Sequence, residues 1–322
     1  MEYKTISRIN ISVSAITLGT WALGNDAWWG AQHDSESLSV LAKAFETGIT
    51  TIDTAPIYGR GHSEELIGDF VCQAGRREKL VIASKLGLEW EGKKIRCNLA
   101  RERMYREIEE SRERLKTDYI DIYQVHWPDP ATPIQETAET MRDFFDKKLI
   151  RAVGVSNHSL AQIQEFMRYC PLHMIQPPYN MFMRQIEDDI VPFCIEHDIA
   201  ILVYAPLHSG ILTGKFFDSQ AAAPQGHGRK NFRDLKEPLR SINKDLVRRL
   251  GEIAAGYGKT LTQLVLNWTL RQKGITALIV GARSAAQLEE NTGGADWRIG
   301  EDDMRTIETL LSQRKNAAGE SS

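Results

Sequence analysis

The chain has 322 residues, 42% of them hydrophobic and 26% charged, with a formal net charge of −3. That balance suits a soluble globular protein and supplies no basic field for nucleic acid or an anionic membrane surface. No apolar run reaches transmembrane length, the stretch MEYKTISRINISVSAITLGT lacks the apolar core of a secretory signal, and Cys72, Cys97, Cys170 and Cys194 form neither a CxxC nor a disulfide framework, so a cytoplasmic protein with reduced thiols is expected.

Short apolar runs alternate with amphipathic segments. SAITLGTWALG (14–24) is the first apolar run and holds strand one. The stretch 35–49 places Leu38, Leu41, Ala42 and Phe45 on one helical face, with Gly48 as its stop. ITTID (49–53) is a strand, 63–74 a helix, KLVIASK (79–85) a strand and 98–116 a long helix with a mostly charged surface. YIDIYQVHWP (119–128), a helix at 133–147, IRAVGVSN (150–157) and a helix at 159–169 follow. Then come HMIQPPYN (173–180), a helix at 187–197 and IAILVYAPL (199–207). Region 208–240 is rich in Gly, Pro and basic residues and includes GRKNFR (228–233). Helices at 243–257 and 260–272, the strand ITALIVGAR (275–283), helices at 284–292 and 301–313, and a frayed NAAGESS tail complete the chain.

About eight strand–helix units with no break in composition predict a single α/β domain over 1–322. Continuously apolar strands joined by helical crossovers imply a parallel sheet covered on both faces. Eight such units predict a closed (β/α)8 TIM barrel, here with extra C-terminal helices. A doubly wound sheet would carry G-x-G-x-x-G after its first strand, where GTWALG stands instead.

Barrel enzymes build their sites at the C-terminal strand ends. In order, those ends offer Gly19-Thr20-Trp21, then Asp53 with Tyr58 in its loop, Lys85, His126-Trp127, Ser156-Asn157, Gln176, Tyr204 and Gly281-Ala282-Arg283. An isolated Asp, Tyr, Lys or His there is ordinarily a cap, a packing residue or a solvated charge; four together on neighbouring strands point to chemistry. A phenol is too weak an acid for efficient proton transfer at neutral pH, and a neighbouring ammonium lowers its pKa. A carboxylate beside that ammonium keeps it charged. Asp53, Lys85 and Tyr58 can thus tune one phenol while His126 donates to the same substrate oxygen. Lys85 as a Schiff-base lysine is the competing chemistry. Asp53, His126 and His158 lack a metal-ligand spacing, so no metal is expected.

The quoted segments FETGITTIDTAPIYGRGHSEELIG, VIASKLG, YIDIYQVHWPD, IRAVGVSNHS, VYAPLHSGILTGK and IVGARSAAQLEENTGG stand in this order along residues 3–312. In that series the chain resembles the aldo-keto reductase family, with its nearest likeness to bacterial aldehyde- and aldose-reducing branches and to potassium-channel β-subunits. The resemblance implies an NAD(P)H-dependent oxidoreductase that reversibly reduces an aldehyde, ketone or aldose carbonyl. It implies a tetrad of Asp53, Tyr58, Lys85 and His126, with Tyr58 as general acid in reduction and base in oxidation. A regulatory β-subunit-like protein that binds NADP with little turnover is the alternative.

The resemblance also implies an extended dinucleotide across the barrel mouth. Gly19, Thr20, Trp21 and Asp53 contribute from the first two strand ends. Ser156, Asn157 and Gln176 match the carboxamide set and Tyr204 the aromatic stacked on nicotinamide. Pro206, Leu207, Ser209, Gly210, Leu212, Gly214 and Lys215 match the pyrophosphate segment. Gly281, Arg283, Gln287, Glu290 and Asn291 match the adenosine end. The family's common Arg at the position of Gln287 and Lys near Gly281 are missing; Arg283 remains, which favours NADP with NAD as the other candidate. His208 departs from the small or amide residue usual at its place. The carbonyl or sugar pocket is expected among Trp21, Trp28, Trp29, Tyr58, Trp90, His126 and Trp127. No nucleic-acid or membrane partner is expected.

Overall fold

The structure, a computed structural model, describes residues 1–25, 28–73, 75, 77–217 and 232–319. A hairpin of β1 (Tyr3–Ile6) and β2 (Ile11–Ser14) opens the chain and leads into β3 (Ile16–Gly19), α1 (Asp34–Glu46), β4 (Thr51–Asp53) and α2 (His62–Gln73). Next come β5 (Val81–Leu86), a second hairpin of β6 (Leu88–Glu91) and β7 (Lys94–Cys97), α3 (Arg101–Leu115) and β8 (Ile120–Val125). The chain continues through α4 (Ile134–Asp146), β9 (Ile150–Ser156), α5 (Leu160–Met167), β10 (Met174–Gln176), α6 (Ile190–Glu196) and β11 (Ala200–Tyr204). It ends with α7 (Leu239–Gly256), α8 (Leu261–Leu270), β12 (Ile275–Gly281), α9 (Ala285–Thr292) and α10 (Glu301–Ala317).

Eight strands close a parallel barrel in the order β3-β4-β5-β8-β9-β10-β11-β12. The period of two sorts each strand into an outward face under the helices and an inward face. Inward, Ala83, Ile122, Ala152, Met174, Leu202 and Ala277 form an apolar floor, which Ile6, Ile11 and Val13 of the first hairpin seal from below. Two residues further along their strands stand Lys85, Gln124, Gln176 and Tyr204, so the barrel interior turns polar toward its mouth. Gly154 makes this possible: a Cβ there would meet Met174 Sδ at 2.5 Å and Gln124 Cγ at 2.8 Å.

The expected barrel and the α7 and α10 additions are present. Three details refine or add to the expectations. Strand one stops at Gly19 and Trp21–Gly24 is a short 3-10 turn. Neither hairpin was expected. The tail is not frayed from Asn316, because α10 runs to Ala317; its last turn is fastened where Arg314, 5% exposed, reaches Asp234 and Asn243. Residues 228–231 of GRKNFR lie outside the described residues.

Candidate active site

Asp53 is the last residue of β4, Lys85 lies one short of the end of β5, and His126 directly follows β8. Tyr58 opens a 3-10 turn that runs into α2. That turn requires Gly59: its φ is +58°, and a Cβ would lie 1.8 Å from Gly24 O. The backbone at Gly24 thus wedges against the Tyr58 turn and fixes where the phenol points.

Lys85 Nζ donates to Asp53 Oδ1 at 2.6 Å, to Thr54 O at 2.8 Å and to Tyr58 Oη at 3.4 Å. The His126 ring meets the Tyr58 ring edge-on, centroids 6.0 Å apart. Asp53 Oδ2 accepts from Gln176 Nε2 at 2.8 Å and from Gln124 Nε2 at 3.4 Å, and Gln176 also donates to Gln124 Oε1 at 3.0 Å. All four expected side chains therefore converge. Gln124 is an addition that sequence reasoning missed. Its signal was available: an amide inside an apolar strand, two residues before His126 and so on the same face.

Burial pulls the Lys85 ammonium down, but Asp53 and then Tyr58 outweigh it, and its pKa is raised. The Tyr58 phenol is also raised, by burial foremost; Lys85 pulls the other way without cancelling it. The expected lowering by the ammonium is present, but burial, which the sequence does not show, outweighs it. Burial and the Lys85 charge hold His126 well below the usual imidazole range, so its ring is neutral. The arrangement holds a charged ammonium, a protonated phenol and a neutral imidazole at one open strand end.

Around them, Tyr204 Oη donates to Asn157 Oδ1 at 2.8 Å, and Asn157 Nδ2 donates to Ser156 Oγ and His126 O, each at 3.0 Å. Ser156 Oγ donates to Gln176 O at 2.8 Å. Burial foremost pushes the Tyr204 phenol up to about 12. Thr20 is buried: its hydroxyl donates to Asp53 O at 2.9 Å and accepts from Ser63 Oγ at 2.8 Å. It braces the backbone of Asp53. His158 is tied to Ser156 O at 2.8 Å.

His208–Thr213 is a 3-10 turn kinked at Ser209 and Gly210, and φ is positive at Ala205, His208, Ser209, Gly210 and Gly214. Pro206 and Leu212 are buried and Leu207 is half-buried. His208 Nε2 bonds Asp234 Oδ2 at 3.1 Å. Lys215 is exposed and lies 3.7 Å from Glu290. Gly19 and Gly281 pair at the adjoining ends of β3 and β12. Arg283 does not point to an open phosphate site: it bonds Gln32, Trp29 and Ala31 of the loop after strand one. Gln287 Oε1 accepts from Arg283 N at 2.9 Å, and Asn291 Nδ2 donates to Gly281 O at 3.3 Å.

Trp21 stacks on Tyr58 at 5.9 Å and on Trp28 at 5.7 Å, and meets Trp29 edge-on at 5.4 Å. Trp90 on β6 donates to Ile57 O at 3.4 Å, under the Arg60 guanidinium. Trp127 takes no part in the described ring contacts and is 45% exposed. Among the described residues, no three His, Cys, Asp or Glu side chains are grouped to hold a metal, and no helix is long and apolar enough to cross a membrane.

With this geometry in place, the chain belongs to the aldo/keto reductase family, whose model matches residues 15–312. It is accordingly an NAD(P)-dependent oxidoreductase that acts on small carbonyl compounds. It is 39% identical to aldo-keto reductase YhdN of Bacillus subtilis over 97% of this chain and 94% of that protein. It is 31% identical to the NADH-specific methylglyoxal reductase of Escherichia coli over 96% of this chain and 98% of that one. The structure of the glycerol dehydrogenase AKR11B4 from Gluconobacter oxydans superposes with a TM-score of 0.89 at 32% identity, covering 97% of this chain and 95% of that one.

Proposed function

We propose that Tyr58 is the general acid for reduction of a short, oxygen-rich aldehyde or ketone, with Lys85, Asp53 and His126 arranged around it. The observation that carries this is Lys85 Nζ, placed between Asp53 Oδ1 at 2.6 Å and Tyr58 Oη at 3.4 Å. The dinucleotide, when bound, supplies the hydride. The residues present fit it: Tyr204 offers a ring beside the Ser156, Asn157 and Gln176 polar set, and Gly19 and Gly281 form a rim without side chains. Tyr58 and His126 hold the carbonyl oxygen between two donors. As negative charge develops there, the phenol proton moves to it and Lys85 stabilises the phenolate left behind. Asp53 keeps Lys85 charged in a buried site. In oxidation the phenolate accepts the proton instead.

Two relatives carry methylglyoxal and glycerol in their names, both three-carbon oxygenated compounds. The tryptophans beside Tyr58 suit the CH faces of such molecules and of aldoses. NADPH and NADH both serve as donors in this reading, because the guanidinium that favoured NADP already holds backbone carbonyls. Localisation is proposed as cytoplasmic, from the thiol pattern alone.

The test is Tyr58→Phe. Its turnover of methylglyoxal and glyceraldehyde falls by about 10²- to 10⁴-fold while dinucleotide affinity holds within about twofold. Near-wild-type turnover would refute the assignment. In the wild type, reduction stays level through neutral pH and declines only in the alkaline range where the raised phenol ionises.

A further inference from the structure

We propose that Arg283 is a positioning residue for the carbonyl pocket, not a ligand for a cofactor phosphate. Its planar fork fastens loop 28–32, and through that loop the tryptophan wall beside Tyr58. All three guanidinium nitrogens donate: Nε to Gln32 Oε1 at 3.0 Å, Nη1 to Trp29 O at 2.8 Å and Nη2 to Ala31 O at 2.5 Å. Gln32, 5% exposed, returns a bond from Nε2 to Arg283 O at 3.0 Å, and its own backbone N–H donates to Asn25 Oδ1 at 3.1 Å. The clasp is reciprocal and joins the end of β12 to the loop after strand one.

What that loop carries gives the clasp its consequence. Trp28 and Trp29 both meet Trp21, and Trp21 stacks on the Tyr58 ring. Arg283 is thus connected to the proposed proton donor through one loop and two ring contacts. The clasp engages three of the guanidinium's five N–H groups, one on each nitrogen, so the fork is already oriented onto the loop rather than held open for a 2′-phosphate. The surroundings also disfavour a dianion: Glu290 lies beside Lys215, and Gln287 is turned back onto Arg283 N. Arg283 therefore selects the carbonyl substrate, and does so with either dinucleotide. This rests on reading the Tyr58 ring as part of the carbonyl pocket.

Arg283→Met, Arg283→Lys and Gln32→Ala test it, with glyceraldehyde as substrate, NADPH and NADH as donors, and calorimetry for dinucleotide affinity. All three variants raise the KM for glyceraldehyde by about tenfold or more with both donors. The ratio of NADPH to NADH dissociation constants stays within about threefold of wild type. Lysine does not rescue, because one ammonium cannot reproduce three donors in a plane. The proposal is overturned if Arg283→Met weakens NADPH by about tenfold while NADH and the carbonyl KM hold, or if Arg283→Lys restores the wild-type KM. Gln32→Ala, which touches only the clasp, keeps the test decisive should the arginine variants fail to fold. Failure of the Tyr58 reading shows separately, as full turnover in Tyr58→Phe.

Discussion

Strand β5 carries a buried charge network on each of its faces. Inward, Lys85 pairs with Asp53, and Gln176 and Gln124 satisfy the second carboxylate oxygen. Outward, Ser84 Oγ donates to Glu64 Oε1 at 2.6 Å and Arg114 Nε to Glu64 Oε2 at 2.8 Å. Next to them Glu107 Oε2 accepts from Gly87 N at 2.9 Å, with Arg103 at 3.4 Å from its other oxygen. Both networks contain buried carboxylates and cations. The outer one is enclosed between β5, α2 and α3, while the inner one ends in a phenol at the open end of the barrel. Buried charge alone thus marks no active site; its position at a strand end, with a transferable proton at the exposed terminus, separates chemistry from architecture.

Removing the inner cation should break the comparison most severely. Lys85→Met leaves Asp53 as an uncompensated buried carboxylate, a change that costs about 3–5 kcal/mol. It also strips the phenolate of its partner, so turnover falls by about 10²- to 10⁴-fold. The double variant Asp53→Asn/Lys85→Met recovers melting temperature, since no buried charge is left, but recovers no turnover. Thermal denaturation and steady-state kinetics on the same three proteins check this. Recovery of both would place the inner network in the same structural role as the outer one.

The outer network should respond to pH in stability alone. Burial, against Arg103 and the Gly87 N–H, raises Glu107 to about 7 from its ordinary 4.5. The folded chain therefore holds this proton more tightly than the unfolded chain. The associated stability is fully present below about 4.5 and is lost as pH rises through about 7. Glu107→Gln lacks that dependence. At pH 8 it melts above the wild type by about 3–6 °C, a shift of roughly 1–3 kcal/mol, with kcat unchanged. A wild-type melting temperature that does not fall relative to Glu107→Gln between pH 5 and 8 would sink this prediction.

The barrel and the three strand ends that bring Asp53, Tyr58, Lys85 and His126 together were legible because they depend on period and order. Asp53, Lys85 and His126 each close an apolar run, and Tyr58 follows in a glycine-rich turn. The first hairpin was not legible, because Ile6, Ile11 and Val13 show their purpose only once the barrel floor lies above them. The second carried a missed signal: alternating residues around Glu91-Gly92-Lys93. Burial of the phenol depends on packing that no local pattern encodes. Arg283 shows the remaining limit. Its residue type was readable, but its acceptors lie about 250 positions away, and only the closed barrel brings them within reach.

A third, half-buried network, at the rim of the mouth, sharpens the comparison by lying between the two extremes. Asp234 joins His208 at 3.1 Å, Arg314 at 2.7 Å and Asn243 Nδ2 at 3.3 Å. Burial raises its carboxyl, but these partners outweigh that and hold it below its ordinary value. The network links α7 and α10 to the turn proposed to run along the pyrophosphate, yet none of it reaches Tyr58. Its loss should therefore loosen the dinucleotide without slowing the chemistry. Asp234→Asn keeps the side chain's size and removes its charge, weakening the bonds to His208 and Arg314. Losing about 1 kcal/mol of charge-assisted bonding raises the dinucleotide dissociation constant by about fivefold. Turnover at saturating dinucleotide stays at the wild-type level. A fall in kcat with unchanged affinity would instead tie this network to proton transfer and merge it with the inner one.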